Sequence, residues 1–82
     1  MEKRIGAAII LVEDHESVEE LNTILSHHGH MILGRQGLPL RDKGISVINL
    51  IVEGTTDQLS SLTGKIGKLK GVQVKSVLTR YQ

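Results

Sequence analysis

Cysteine, phenylalanine and tryptophan are all missing from this chain of 82 residues, and tyrosine occurs once, as Tyr81. Without cysteine, neither a disulfide nor a zinc–thiolate site can stabilise the fold, and a cysteine-based copper chaperone is excluded. RNA recognition on strands needs aromatic side chains that stack on bases, so that function is excluded too. A chain this short buries only about 60% of its unfolded surface, which favours association into a homo-oligomer.

Long apolar runs are also missing. The longest is Ala7–Val12, far below the roughly 20 residues that span a bilayer. The N-terminus lacks the charged, apolar and small-residue pattern of a secretory signal. We therefore expect a cytoplasmic protein with no membrane segment, in which residues 1–82 form a single domain.

Two long stretches of the chain each lack charges of one sign. No Lys or Arg occurs between Ile5 and Gly34, and no Asp or Glu occurs after Asp57. Basic residues in the second half are a candidate nucleic-acid surface whose affinity would fall steeply with salt: Lys65, Lys68, Lys70 and Lys75. We interpret the acidic residues near the first helix and these lysines instead as helix-end residues, because the helix macrodipole favours acids in the first turn and lysines in the last turn. We therefore expect no direct nucleic-acid contact.

One local pattern occurs twice. Ile9–Val12 is followed by Ser17 and, three residues later, Glu20; Leu50–Val52 is followed by Thr55-Thr56 and then Gln58. Each time, a buried type of strand leads to a capping box, a Ser or Thr with Glu or Gln three residues on, at the start of an amphipathic helix.

The whole pattern is strand, helix, strand, strand, helix, strand. We predict strands at Arg4–Val12, Met31–Leu38, Ile45–Glu53 and Val72–Thr79, with helices that start after Ser17 and after Thr55 or Thr56. Right-handed crossovers then give an α+β, ferredoxin-like βαββαβ sandwich: a four-stranded antiparallel sheet with two helices on one face. The other face would present Val47, Asn49 and Ile51, which a second copy of the chain is expected to cover.

Four histidines suggest a metal site. His27, His28 and His30 follow the first helix, while His15 precedes it. Imidazoles bind nickel, zinc or copper, but a helix about 15–18 Å long separates His15 from the others. A site would therefore use the three later histidines with ligands from a second copy. Alternatively, these imidazoles only contact the carbonyl end of the helix.

Two glycines lie inside the second helix. Gly64-Lys65-Ile66-Gly67 has the Gly-x-x-Gly form of the KH-domain loop, yet the apolar spacing of the helix continues through it. Each glycine costs about 1 kcal/mol relative to alanine in a helix. We therefore predict close packing against a neighbouring element at this segment.

The chain carries no catalytic motif such as a nucleophile elbow. Glu13, Asp14 and Glu16 form an acidic loop after the first strand, and their simplest role is helix capping. This loop would repel the phosphate that an acylphosphatase-type enzyme binds at the same place. We expect no enzymatic activity, and the residues identify no cofactor.

Five segments resemble a known family, the ACT-like iron-only hydrogenase system regulators. The Leu62–Leu69 and Gly71–Lys75 segments are the most specific, and the others are Leu11–Asp14, Gly34–Pro39 and Gly54–Asp57. The resemblance implies an ACT-like fold, oligomers formed through sheets or helix edges, and a regulatory role near hydrogenase maturation genes in anaerobic bacteria. A more distant likeness is to the C-terminal domain of the nickel-responsive repressor.

Together, these features predict a non-enzymatic regulatory module, a transcriptional regulator of the hydrogenase system that forms a dimer or tetramer. Any small-molecule effector would bind at a subunit interface near the first strand–helix loop. The candidate ligand residues are Glu13, Asp14 and His15, followed by Arg35 and Asn49. The alternative is a nickel or zinc sensor that uses His27, His28 and His30.

Overall fold

Residues 2–81, the part of the chain that the computed structural model describes, form four strands and two helices. In chain order these are β1 (Arg4–Val12), α1 (Val18–His27), β2 (Ile32–Leu40), β3 (Ile45–Gly54), α2 (Thr56–Gly67) and β4 (Val72–Leu78), with single-turn 3₁₀ helices at His15–Ser17 and Gly29–Met31. The strands form one antiparallel sheet in the order β2-β3-β1-β4. This confirms the predicted ferredoxin-like βαββαβ sandwich. Neither helix within residues 2–81 is long and apolar enough to cross a membrane.

The core lies between the sheet and the two helices. Alternate residues of the central strands are buried, so that Ile10 is fully enclosed while its neighbour Ile9 is 46% exposed. The helices contribute residues at helical spacing, which confirms the predicted apolar stripes. The buried apolar residues are Ala8, Ile10, Val12, Leu21, Leu25, Met31, Leu50, Val52, Leu59, Leu62, Ile66 and Val72.

The opposite side of the sheet, which we call the open face, is covered by no part of residues 2–81. Its central residues alternate with the buried ones along each strand: Gln36 and Leu38 on β2, Val47, Asn49 and Ile51 on β3, Ala7, Ile9 and Leu11 on β1, and Gln73, Lys75 and Val77 on β4. The prediction that Val47, Asn49 and Ile51 share this face agrees with the strand register.

Strand boundaries differ from the sequence prediction mainly at β2. This strand runs to Leu40 and includes Pro39, which the sequence had suggested as the start of the connection. Because β2 is at the edge of the sheet, a residue without an N–H group is tolerated there. A bulge at Leu33 shifts the register between Ile32 and Gly34.

The prediction of close packing at the helical glycines is wrong. A Cβ atom added at Gly64 would meet nothing within 4 Å, and one at Gly67 would meet only Val74 Cγ1 at 3.8 Å, an ordinary van der Waals contact. A truly crowded glycine is Gly71, where an added Cβ would lie 2.9 Å from the backbone nitrogen of Asp14. Apolar spacing alone does not show which glycines have close neighbours.

Candidate functional site

The loop after β1 is bonded to the loop before β4, and we call this contact the loop junction (Glu13–Ser17 with Lys70–Gln73). The carbonyl oxygen of Gly71 accepts hydrogen bonds from the backbone N–H groups of Glu13 at 2.7 Å and Asp14 at 3.3 Å. Gly71 has a φ of +67°, which favours glycine, and a side chain there would collide with Asp14. The two loops can approach this closely because residue 71 has no side chain.

Side chains add three further contacts at the loop junction. The buried Ser17 hydroxyl donates to the Lys70 carbonyl oxygen at 2.6 Å. Gln73 Nε2 donates to Glu13 Oε1 at 2.7 Å. The ammonium of Lys70 lies 3.7 Å from Asp14 Oδ2, but it is largely exposed and therefore contributes little. The loop junction thus connects the first βαβ half of the chain (β1, α1 and β2) to the second (β3, α2 and β4), in addition to the pairing of their strands.

Only the second of the two predicted capping boxes forms. Thr55 Oγ1 accepts from the Gln58 N–H at 3.1 Å, and Gln58 Oε1 accepts from the Thr55 N–H at 2.8 Å. Ser17 occupies the predicted N-cap position of α1 but makes no capping hydrogen bond, because its hydroxyl is committed to Lys70. Asp14 instead caps the preceding 3₁₀ turn. The first capping box was therefore a wrong prediction.

The five predicted effector residues lie in three separate places. Glu13–His15 form the loop junction and the 3₁₀ turn, with Glu13 and His15 exposed. Arg35 lies on the helix side of β2, where its Nη2 donates to Asn22 Oδ1 of α1 at 2.8 Å. Asn49 lies on the open face. A single chain therefore does not assemble all five into one site.

A cleft of about 340 Å³ separates α1 from the β2–β3 hairpin. Arg35 and Asn22 border it, and Val12, Val18 and Ile48 supply part of its apolar wall. This arrangement can hold a small molecule with an apolar body and an anionic group that pairs with the Arg35 guanidinium.

A second cleft, of about 360 Å³, lies between the end of α1 and the first turns of α2, and we call it the histidine cleft. It brings together the three histidines of the predicted metal site. His28 Nδ1 is 2.9 Å from the Ile24 carbonyl oxygen, and the His28 and His30 rings are stacked with centroids 6.4 Å apart. The full lining is His27, His28, His30, Met31, Asp57, Gln58, Ser61 and Lys65.

The geometry of the histidine cleft allows part of a metal site. When His28 Nδ1 carries the proton and donates to Ile24, its Nε2 is left with a free lone pair, the arrangement typical of metal-binding histidines. However, no three His, Asp or Glu side chains among residues 2–81 are placed to hold one ion. A metal would therefore need ligands from a second copy, as the sequence analysis expected.

Asp57 and Lys65 were missed as members of this cleft. In the sequence they belong to a helix start and a lysine-rich stretch, far along the chain from His27. Only the packing of α2 beside the end of α1 brings them together. No local signal in the chain indicates this contact.

A protein-family model described as "Iron-only hydrogenase system regulator, putative" (TM1266-like) matches residues 4–76. The solved structure of the uncharacterized protein TM1266 from Thermotoga maritima is 31% identical and superposes with a TM-score of 0.91, covering 96% of this chain and 100% of that one. The ACT domain of GTP pyrophosphokinase from Chlorobium tepidum is 23% identical with a TM-score of 0.77, covering 92% and 99%, and shows the same fold. Comparison with functionally curated proteins gave no match.

Proposed function

The chain belongs to the TM1266-like family of iron-only hydrogenase system regulators, and on this basis we propose that it is a non-enzymatic, homo-oligomeric regulatory module of the cytoplasm. The family match over residues 4–76 carries the proposal, because it includes every helix and all but the end of β4. We propose that residues 1–82 act as one ACT-like domain. Its effect on transcription passes through a partner protein that contacts DNA, since residues 2–81 contain no helix-turn-helix segment.

A small-molecule effector is proposed to bind between copies, beside the loop junction. This point joins both βαβ halves, so a ligand that contacts Glu13 or His15 would act on both at once. Arg35 and Asn22 at the neighbouring cleft provide a guanidinium and an amide for an anionic or polar ligand. Loops that carry function on a rigid sheet are a common arrangement.

The proposal predicts a dimer or tetramer in solution. Light scattering coupled to gel filtration, at tens of micromolar protein, should give a mass of two or four chains. Because the open face, which a second copy is expected to cover, carries apolar residues such as Val47 and Ile51, the mass should persist at about 1 M salt, where exposed ion pairs are screened. A strictly monomeric protein would contradict an effector site at a subunit interface.

A second candidate function is the binding of nickel or zinc. The observation in its favour is that His27, His28 and His30 line one cleft together with Asp57. The incomplete donor set requires two copies to share the ion.

Calorimetry with nickel and zinc chlorides tests this candidate. We expect binding tighter than about 10 μM in the unaltered protein and its loss in a variant with all three histidines changed to alanine. Thr23→Ala, an exposed residue of α1 that has neither an imidazole nor a carboxylate, is the matched control and should leave the affinity unchanged. Equal binding by the triple variant would show that the histidine cleft is not the site.

A further inference from the structure

The open face concentrates the exposed apolar side chains of residues 2–81. Among the six large hydrophobic residues that are strongly exposed, four lie on this face: Ile9 (46%), Leu38 (56%), Ile51 (41%) and Val77 (64%). The others, Leu33 and Tyr81, lie at the bulge of β2 and near the C-terminus. A contiguous apolar surface of this kind is typical of an interaction site.

The face is organised in rows that cross all four strands. Its central row is Gln36, Asn49, Ile9 and Lys75. The two flanking rows are mostly apolar: Leu38, Val47, Leu11 and Gln73 on one side, and Gly34, Ile51, Ala7 and Val77 on the other. A depression of about 210 Å³ bordered by Ile9, Asn49 and Val77 interrupts the surface, and an aliphatic side chain could enter it.

The size of the face fits a second copy of the chain. Four strands at their usual spacing, each contributing about seven residues, give a surface of about 20 by 25 Å. Two such surfaces packed together would bury on the order of 1,000 Å² in total, which reaches the lower limit for a specific protein–protein interface. Two sheets that pack face to face also form one of the standard layer arrangements of proteins.

The chemistry of the face is self-complementary, as a symmetric dimer requires. The amides of Gln36 and Asn49 each donate and accept hydrogen bonds, so they can pair with their own counterparts. Lys75 is on the edge strand β4, from which its ammonium can reach solvent. The carboxylates of Glu13 and Glu53 lie toward opposite ends of the face, so like charges are not forced together at its centre.

We propose that two copies of this chain associate through their open faces, with Ile9 and Asn49 at the centre of the contact. This inference rests on the proposed homo-oligomer and specifies the surface that forms it. The loop junction lies at one end of the same face, beside the interface where the effector is proposed to bind.

A lysine introduced into the face tests the proposal. In Asn49→Lys and Ile51→Lys, burying the new ammonium groups in the contact should raise the dissociation constant at least 100-fold, because unpaired buried charges are costly. Ser60→Lys is the control, since this exposed residue lies on α2, on the opposite side of the sheet from the open face. Its dissociation constant should change less than about threefold. Analytical ultracentrifugation over a range of concentrations measures all three.

The possible outcomes separate this inference from the proposed function. Monomeric but folded Asn49→Lys and Ile51→Lys proteins, with Ser60→Lys still associated, would support the open face as the interface. If the unaltered chain and all three variants are oligomers, the interface is elsewhere and the homo-oligomer proposal stands. If the unaltered chain is a monomer, both the open-face dimer and the homo-oligomer proposal are wrong, and the open face would have to bind a different protein. Asn49 is already exposed and polar, so its variant should fold even if Ile51→Lys does not.

Discussion

Replacing Gly71 with alanine is expected to destabilise the fold by about 3 kcal/mol or more, a larger loss than the same change should cause at Gly44. The φ of +67° puts residue 71 in the left-handed region, where an L side chain is unfavourable. The new Cβ would also lie 2.9 Å from the Asp14 nitrogen and 3.2 Å from its Cα. To relieve these contacts the loops must separate, which weakens the hydrogen bond from the Glu13 N–H to the Gly71 carbonyl oxygen. Urea unfolding followed by far-ultraviolet circular dichroism measures the change.

Two other glycines provide matched controls. Gly44 has nearly the same φ, +68°, but an added Cβ there would meet nothing within 4 Å, so Gly44→Ala should cost only about 1–2 kcal/mol. Gly64 is inside α2 with open space around it, and Gly64→Ala should stabilise the protein by about 1 kcal/mol. Equal losses for Gly71→Ala and Gly44→Ala would show that contact with Asp14 has no energetic importance.

Replacing Ile10 with alanine is expected to lower the free energy of unfolding by about 3–4 kcal/mol. Ile10 is fully buried on β1, between the sheet and the helices, and its side chain belongs to the core cluster. Truncation removes buried methyl groups and leaves a cavity that the surrounding side chains can fill only in part. For a domain of this size, such a loss is a large share of the total stability.

The neighbouring residue Ile9 is the control for this prediction. Its side chain points to the open face and is 46% exposed, so Ile9→Ala should cost the folded monomer less than about 1 kcal/mol. In our proposal it should weaken association instead. Unfolding curves at a low protein concentration, combined with ultracentrifugation at a higher one, separate the two effects. If Ile9→Ala and Ile10→Ala destabilise the monomer equally, the assignment of the two faces is wrong.

Much of the fold could be predicted from residue patterns alone. The near-continuous apolar run of β1 predicted its bounds, Arg4–Val12, as the structure has them. The Thr55 capping box and the apolar spacing after it located α2. β2 was predicted less well, because Gly34 and Gly37 weaken its pattern and a proline is compatible with strand structure only at a sheet edge. Edge position is a property of the sheet and cannot be inferred from one strand.

The candidate sites, too, could be predicted from the sequence only in part. His27, His28 and His30 line one cleft, and their closeness can be inferred from local sequence because they are neighbours in the chain. Local sequence did not indicate that Asp57 and Lys65 would face them. It also could not show that Ser17 would leave its expected capping role for the Lys70 carbonyl oxygen, 53 residues away. Both contacts depend on how the two βαβ halves pack.

The sequence by itself determined the order of the elements, the buried face of each, and the capping box at the start of α2. These follow from side-chain periodicity and backbone preference, which act between residues close in the chain. Only the tertiary structure decided which glycines are crowded, that the two loops meet at Gly71, and that Ile9, Ile51 and Val77 form one uncovered surface. These features depend on strand register and on contacts between distant segments, because hydrogen bonding across the sheet, rather than local preference, sets which residues become neighbours.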